Sequence, residues 1–275
     1  MLSFKEVIHS IQRNLKLLLR YSILSFKDIT EYKFTFFSAM FFVIIGTLTN
    51  FLTWKVMLGN QTNFLGWTLP ELLILSFATG IYISIVECLL GFLYLEEYIL
   101  EGILDLILVR PINSFYHIIL KGINMFLLLR MFLAEIPMLI FISIYFKLNL
   151  NWLNILGFIF FLTISSILVI LILSIFFMSA FWLGRNEFIY SIHSAFENYI
   201  NKPLDLFPNV IKILFTFIYP LIFVSVIPTK VLLGKLSFTQ LSSYLGIIII
   251  LFIIWGFIAY KVWNKGLKRY EGGSG

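Results

Sequence analysis

Residues 153–183 read LNILGFIFFLTISSILVILILSIFFMSAFWL, without one charged side chain. About 20 apolar residues are enough for a helix to cross the hydrocarbon core of a bilayer. This run alone therefore predicts a transmembrane helix, with residues to spare for tilt or for projection past the membrane surface. Five similar runs accompany it, near residues 34–55, 69–94, 115–146, 209–228 and 241–262. The run at 115–146 is likewise longer than one crossing needs.

The composition agrees. Of 275 residues, 60% are hydrophobic and only 12% charged, with a mean hydropathy of +0.99. Soluble domains hold about 45–50% apolar and about 25% charged residues. The expected fold class is all-α: a polytopic membrane protein of six transmembrane helices. The net charge of +6 does not point to nucleic acid, because the basic residues are scattered through loops and ends instead of forming a stripe. Cys88 is the only cysteine and sits in an apolar run, so one chain can form neither a disulfide framework nor a thiolate metal site.

From residue 4 to residue 19 the apolar side chains Phe4, Val7, Ile8, Ile11, Leu15, Leu18 and Leu19 recur at helical spacing, with Lys5, His9, Arg13, Lys16 and Arg20 between them. Such a stripe predicts an amphipathic helix lying at the membrane surface, or one packed on a soluble partner. No cleavable leader is expected, and Gly272-Gly273-Ser274-Gly275 reads as an appended linker. Residues 1–271 are then expected to form a single transmembrane domain, with an interfacial helix over 1–30, a bundle over 34–262 and a polar loop over 96–113.

Orientation follows from the basic residues. Placing the N-terminus in the cytoplasm puts Lys5, Arg13, Lys16, Arg20, Lys27, Lys33, Arg110, Lys121, Arg185, Lys202, Lys212, Lys261, Lys265, Lys268 and Arg269 inside. Only Lys55, Lys147, Lys230 and Lys235 remain outside. The positive-inside rule therefore predicts both termini in the cytoplasm. Trp54, Trp67 and Trp152 are expected near the outer interface, Trp182 and Trp263 near the inner one. The outer loops are short, so a ligand is met within or below the membrane. Proline at 137, 220 and 228 removes backbone donors inside spans, and Pro220 predicts a bend or break in the fifth. No internal repeat is apparent.

Catalytic signatures are missing. The chain has no phosphate-cradling Gly-rich loop ending in Lys-Ser/Thr, no His-Glu-x-x-His pair and no Gly-x-Ser-x-Gly elbow. His9, His117 and His193 are expected at headgroup level. The chain thus reads as neither an enzyme nor a nucleotide hydrolase, with no catalytic residue, no metal site and no cofactor of its own.

Three charges fall inside apolar spans: Glu87, Arg130 and Glu135. Each costs roughly 2.5–3.5 kcal/mol at the bilayer centre on insertion scales, so each should face protein or water. Counting from Leu95 and Lys121 at about 1.5 Å per residue puts Glu87 roughly 12 Å deep, Arg130 roughly 14 Å and Glu135 about 21 Å. Glu87 and Arg130 are therefore expected to pair or to share a wet pocket. Arg130 and Glu135, about 140° apart on a regular helix, are expected to be poor partners unless Pro137 distorts the winding. Glu135 is the candidate for a group facing a cavity; the plainer reading is a carboxyl that glues helices together. Asn50, Ser165, Ser166 and Ser174 also read as helix glue.

The stretch between the second and third spans has a recognisable form. Glu101-Gly102-Ile103-Leu104-Asp105-Leu106-Ile107-Leu108-Val109-Arg110-Pro111-Ile112-Asn113 resembles the pattern Gly-x-Leu-Asp-x-x-Leu-x-Arg-Pro-x-Asn of a branch of the ABC transporter type-2 permease family. A looser block, Pro203-Leu204-Asp205-Leu206-Phe207-Pro208 leading to Tyr219-Pro220 and Pro228, is similar to the same branch's fifth-span region. The resemblance implies an export permease that works as two paired chains, homodimer or related partner, with a separate ATPase subunit carrying the ATP and Mg. It also implies that Glu101, Gly102, Asp105, Arg110 and Pro111 belong to a coupling helix docking in that ATPase. A helix over 101–110 fits the helix dipole, with acids near its start and Arg110 at its end. The residues alone leave two rivals: a carrier driven by an ion gradient with Glu87 and Glu135 as proton sites, and a lipid enzyme, for which no nucleophile is visible. The substrate stays open among peptides, antibiotics and lipids.

Overall fold

The computed structural model describes residues 4–31 and 33–270. Tyr32, the 272–275 linker and the side chains of residues 4–11, with Lys5 and His9, lie outside the described residues. Among the described residues the chain is helical throughout, without a β-strand.

Helix α1 (Phe4–Glu31) leads to α2 (Lys33–Leu58), and α3 (Leu69–Leu89) follows a short loop. Glu71 starts α3 by accepting the Thr68 N–H at 3.1 Å, with Pro70 in the first turn. Three short helices form the next turn of the chain: α4 (Leu95–Leu100), α5 (Ile103–Leu108) and α6 (Ser114–Lys121). Next come α7 (Met125–Arg130), a π-helical turn (Met131–Glu135) and α8 (Ile136–Tyr145) as one span. Helices α9 (Trp152–Phe177) and α10 (Ala180–Leu183) together make a second long span. Beyond α11 (Glu187–Ile200) lie α12 (Asn209–Ile213), which continues as a π turn to Ile218, and α13 (Val226–Leu232). Helix α14 (Phe238–Arg269) closes the chain, its start fixed by reciprocal hydrogen bonds between Ser237 and Gln240.

Among the described residues, five helices are long and apolar enough to cross a membrane, or six if the pair Asn209–Ile218 and Leu221–Leu232, bent by 78° at its break, counts as one span. The break expected at Pro220 is there. The expected boundaries need correction at three places. The 69–94 run ends as a regular helix at Leu89 and tightens into a 3₁₀ turn over Gly91–Tyr94. The 115–146 run is not one span: α6 stops at Lys121, and Asn124 starts α7 by accepting the Phe126 N–H at 3.1 Å. The cause is a backbone contact, since a Cβ on Gly91 or Gly122 would run into the other's strand of chain. Two hydropathic runs thus kink side by side where they meet.

The third correction concerns residues 184–208, the connection between the 153–183 and 209–228 runs. They hold α11, whose last carbonyl, Ile200, lies 3.4 Å from Thr79 Oγ at the middle of α3. Phe196 meets Phe215 edge-on and lies tilted beside Tyr219, and His193 meets Tyr219, so α11 and α12 run antiparallel as a helical hairpin beside α3. Its tip, residues 201–208, sits near mid-height. Lys202, exposed, lies over the Tyr199 ring there. Irregular backbone at that depth is tolerated where protein or a water-filled cavity covers it.

At the Arg110 end, Phe92, Phe115 and Phe181 each meet Trp263 edge to face, a cluster that ties α6, α10 and α14 together. At the other end, Trp67 is buried beneath Lys230 and Lys235, and Lys235 pairs with Glu71 at 2.6 Å. Trp54 and Trp67, expected to face headgroups, are core residues, while Trp152 and Trp182 are exposed. Helices α2 and α14 turn most of their apolar side chains outward, towards lipid or another chain.

Candidate functional site

Three intramembrane residues meet in one cluster. Arg130 Nε lies 3.2 Å from Glu135 Oε1, and Arg130 Nη2 donates to Ser84 Oγ at 2.9 Å. Ser84 in turn donates to both carboxylate oxygens, at 3.2 and 3.0 Å. The π turn makes this possible. Its Ile136 N–H bonds to the Met131 carbonyl, five residues back, so the wider winding brings residue 135 over residue 130. Arg130 and Glu135, expected to be poor partners unless the winding near Pro137 is distorted, meet because of that turn, which ends two residues before Pro137. Glu87 lies within electrostatic range of Arg130 but closes no ion pair within 4 Å. Of the two carboxylates it is Glu135 that holds the arginine.

Gly80 makes room for this group, since a Cβ there would stand 3.2 Å from Glu135 Cδ. Glu135 also lines a cavity of about 170 Å³ with Thr47, Asn50, Ser76 and Asn201. Asn201 comes from the tip of the α11–α12 hairpin, so the cavity joins α2, α3, the π turn and the hairpin. Asn50, read as helix glue, lies on its wall.

A second buried set was not foreseen. His193 Nδ1 and the Tyr219 hydroxyl are 2.8 Å apart, and His193 Nε2 lies 3.3 Å from Glu197 Oε1. His193 is a core residue, not a headgroup-level one. The signal was available as a His and a Glu four residues apart on one helix face, yet the polar letters around them read as a loop.

The segment after α3 presents the other distinctive surface. Gly102, at φ +70°, breaks the chain between α4 and α5, a conformation that favours glycine. The helix expected over 101–110 is therefore shorter: Glu101 caps the end of α4, and α5 covers only Ile103–Leu108. Asp105 remains in the first turn of α5, where its charge suits the dipole. Leu104 and Ile107 face the core, while Leu100, Leu106 and Val109 point outward, the last 85% exposed. Glu101, Arg110 and Pro111 surround them, also exposed.

Helix α1 braces this segment. Tyr21 OH reaches His117 Nε2 at 2.8 Å and accepts from Arg110 at 3.5 Å, and the Tyr116 hydroxyl donates to the Asn14 carbonyl at 3.3 Å. Burial, and then the Arg110 charge, hold His117 below the usual imidazole range, with Lys121 adding to the effect. A histidine kept neutral by folding contributes its contact above its unfolded pKa, about 6.5, and loses it as pH falls further. Lowering pH from 7 to 5 should therefore loosen α1 from α6, seen as lower amide protection factors over 14–25 once intrinsic rates are divided out, and His117→Gln should flatten that response.

Among the described residues, no three His, Cys, Asp or Glu side chains converge as a metal site requires. No curated protein and no solved structure matches the chain. The sequence model of a family described as ABC-2 family transporter protein matches residues 43–274. That match takes in the π-turn cluster, the hairpin, the exposed α5 segment and every candidate span, save α2 before residue 43, and the chain belongs to the ABC-2 family of transporter proteins.

Proposed function

We propose that this chain is the membrane-spanning permease subunit of an ATP-binding cassette exporter, that two such chains build one pathway, and that a separate ATPase docks on α5 and its flanks. Both termini and α5 then lie in the cytoplasm. The observation that carries the reading is the exposed apolar trio Leu100, Leu106 and Val109, set between Glu101 and Arg110 on a short helix at one end of the bundle. Apolar side chains rimmed by charge are the usual make-up of a protein docking surface.

Pathway and energy source divide between chains. ATP and Mg act on the partner ATPase, whose closure pushes α5. The permease converts that push into alternating access, with the polar cavity beside Glu135 on the substrate route. Outward-facing apolar surfaces on α2 and the hairpin supply contacts for the second permease chain.

Purification of the tagged protein from its native membrane, followed by native mass measurement, tests this. The expected particle holds two permease chains and two ATPase chains. Val109→Asp combined with Arg110→Glu should reduce ATPase retention at least tenfold while the permease still inserts. A lone chain whose transport collapses with the proton gradient would replace this reading with the ion-coupled one.

A further inference from the structure

The start of α11 is held by a side chain from another part of the protein. The Asn186 N–H donates to Glu96 Oε2 at 2.5 Å, and Glu96 lies in the first turn of α4. A helix start leaves N–H groups unpaired and carries partial positive charge, so a carboxylate there gains both a hydrogen bond and a favourable field. Helix α11 has no side-chain cap of its own. The junction is otherwise rigid: Asn186 Nδ2 donates to the Phe177 carbonyl at 2.7 Å, and its Oδ1 accepts from Ser179 at 3.0 Å. Gly184, at φ +73°, lets the chain reverse just before it.

What lies on either side of this contact gives it meaning. Helix α4 ends at Leu100, and only Glu101 and Gly102 separate it from α5. Helix α11 carries His193, which holds Tyr219, the residue before Pro220 at the 78° break. It ends at Ile200, beside Thr79 and next to Asn201 on the wall of the Glu135 cavity. Fourteen residues at about 1.5 Å each make α11 a rod of about 21 Å, running from the Arg110 end to the middle of the bundle.

We infer that Glu96 is a positioning residue that ties the docking segment to the α11–α12 hairpin, so that movement of α5 is delivered to the Pro220 break and to the Glu135 cavity. Its mechanical role rests on the ATPase reading above, whereas the anchor itself does not.

Hydrogen exchange on the whole permease–ATPase complex in lipid nanodiscs separates the two. Without nucleotide, Glu96→Ala should speed exchange of the amides over 186–190 by roughly ten- to hundredfold, the loss of one charge-assisted hydrogen bond. Glu96→Gln, which keeps an acceptor, should fall between, and the exposed neighbour variant Glu97→Ala should match the wild type. With ATP and vanadate, the wild type should change exchange over both 103–110 and 187–200, and Glu96→Ala over 103–110 alone. Unaltered exchange over 186–190 in Glu96→Ala would overturn the anchor. A hairpin response that survives Glu96→Ala would overturn the transmission role. If Glu96→Ala lowers α3 and α14 protection as well, the Gln variant decides by the same comparison. Should the purified wild type hold no ATPase, the docking reading fails, and the nucleotide-free comparison still decides the anchor.

Discussion

Gly91→Ala should destabilise the protein by about 3 kcal/mol or more, at the upper end of what overpacking does. The added Cβ would press on the backbone of Ile118 and stand 2.9 Å from Ile119 Cα. A flexible side chain could swing aside; backbone cannot. Because Gly122 packs on Gly91 from the facing chain, Gly122→Ala should behave alike, and the two effects should not add, since either variant already separates the segments. Gly46→Ala is the contrasting case. Nothing lies within 4 Å of its Cβ position, so it should be neutral or slightly stabilising within its helix. Thermal unfolding in detergent measures all three, and a wild-type melting temperature for Gly91→Ala would mean the close contact does not exist in the folded protein. The damage should be local, with amide exchange rising over residues 92–121, because this contact seats α4, α5 and α6 against the end of α3.

Arg130→Met should cost about 3–5 kcal/mol, the range for removing one partner of a buried ion pair. Glu135, nearly enclosed, would keep Ser84 and lose its counter-charge. Glu135→Gln alone should cost less, because the amide can still accept from Ser84 while Arg130 retains a partly exposed edge. The double variant Arg130→Met/Glu135→Gln should then recover most of the Arg130→Met loss, since no unpaired charge remains. A double-mutant cycle on chemical or thermal unfolding reads the coupling; an additive double variant would mean that the two charges do not meet. Transport separates glue from pathway: activity that survives Glu135→Gln yet fails in Glu135→Leu assigns the carboxyl to hydrogen bonding, and failure of both assigns it to charge.

How much of this was legible before the structure depends on what each feature asks of the residues. Burial in lipid asks only for apolar letters, and the spans at 34–55, 153–183 and 241–262 fall within helices the structure contains. Pro220 asks for a break and produces one, because a residue without an N–H leaves its trace in the sequence. The division of 115–146 was hidden, because Gly122 and Asn124 matter there only through chain 31 and 36 residues away, at Gly91 and Cys88. Helix α11 was hidden for the opposite reason. Its Glu, Ser and His letters suit a water-exposed loop, yet the fold pairs His193 with Tyr219 and Glu197 in the interior. Glu96 looked like one of several acids in a polar loop, and nothing local marks it as the one that reaches Asn186. Hydropathy is also indifferent to winding, so the turn that aligns Arg130 with Glu135 left no sign beyond the nearby Pro137.

That turn has a consequence for insertions and deletions. Elsewhere in a span, losing one residue rotates everything beyond it by about 100° and moves a buried face into lipid. In the stretch Met131–Glu135 the chain already holds one residue more than ordinary winding would use. Deleting exposed Phe132 or Leu133 would let the stretch relax to regular α-helix with Arg130 and Glu135 four apart, still on one face, and α8 still in its present orientation. This span is therefore one where a homologue one residue shorter is expected to keep the same interior.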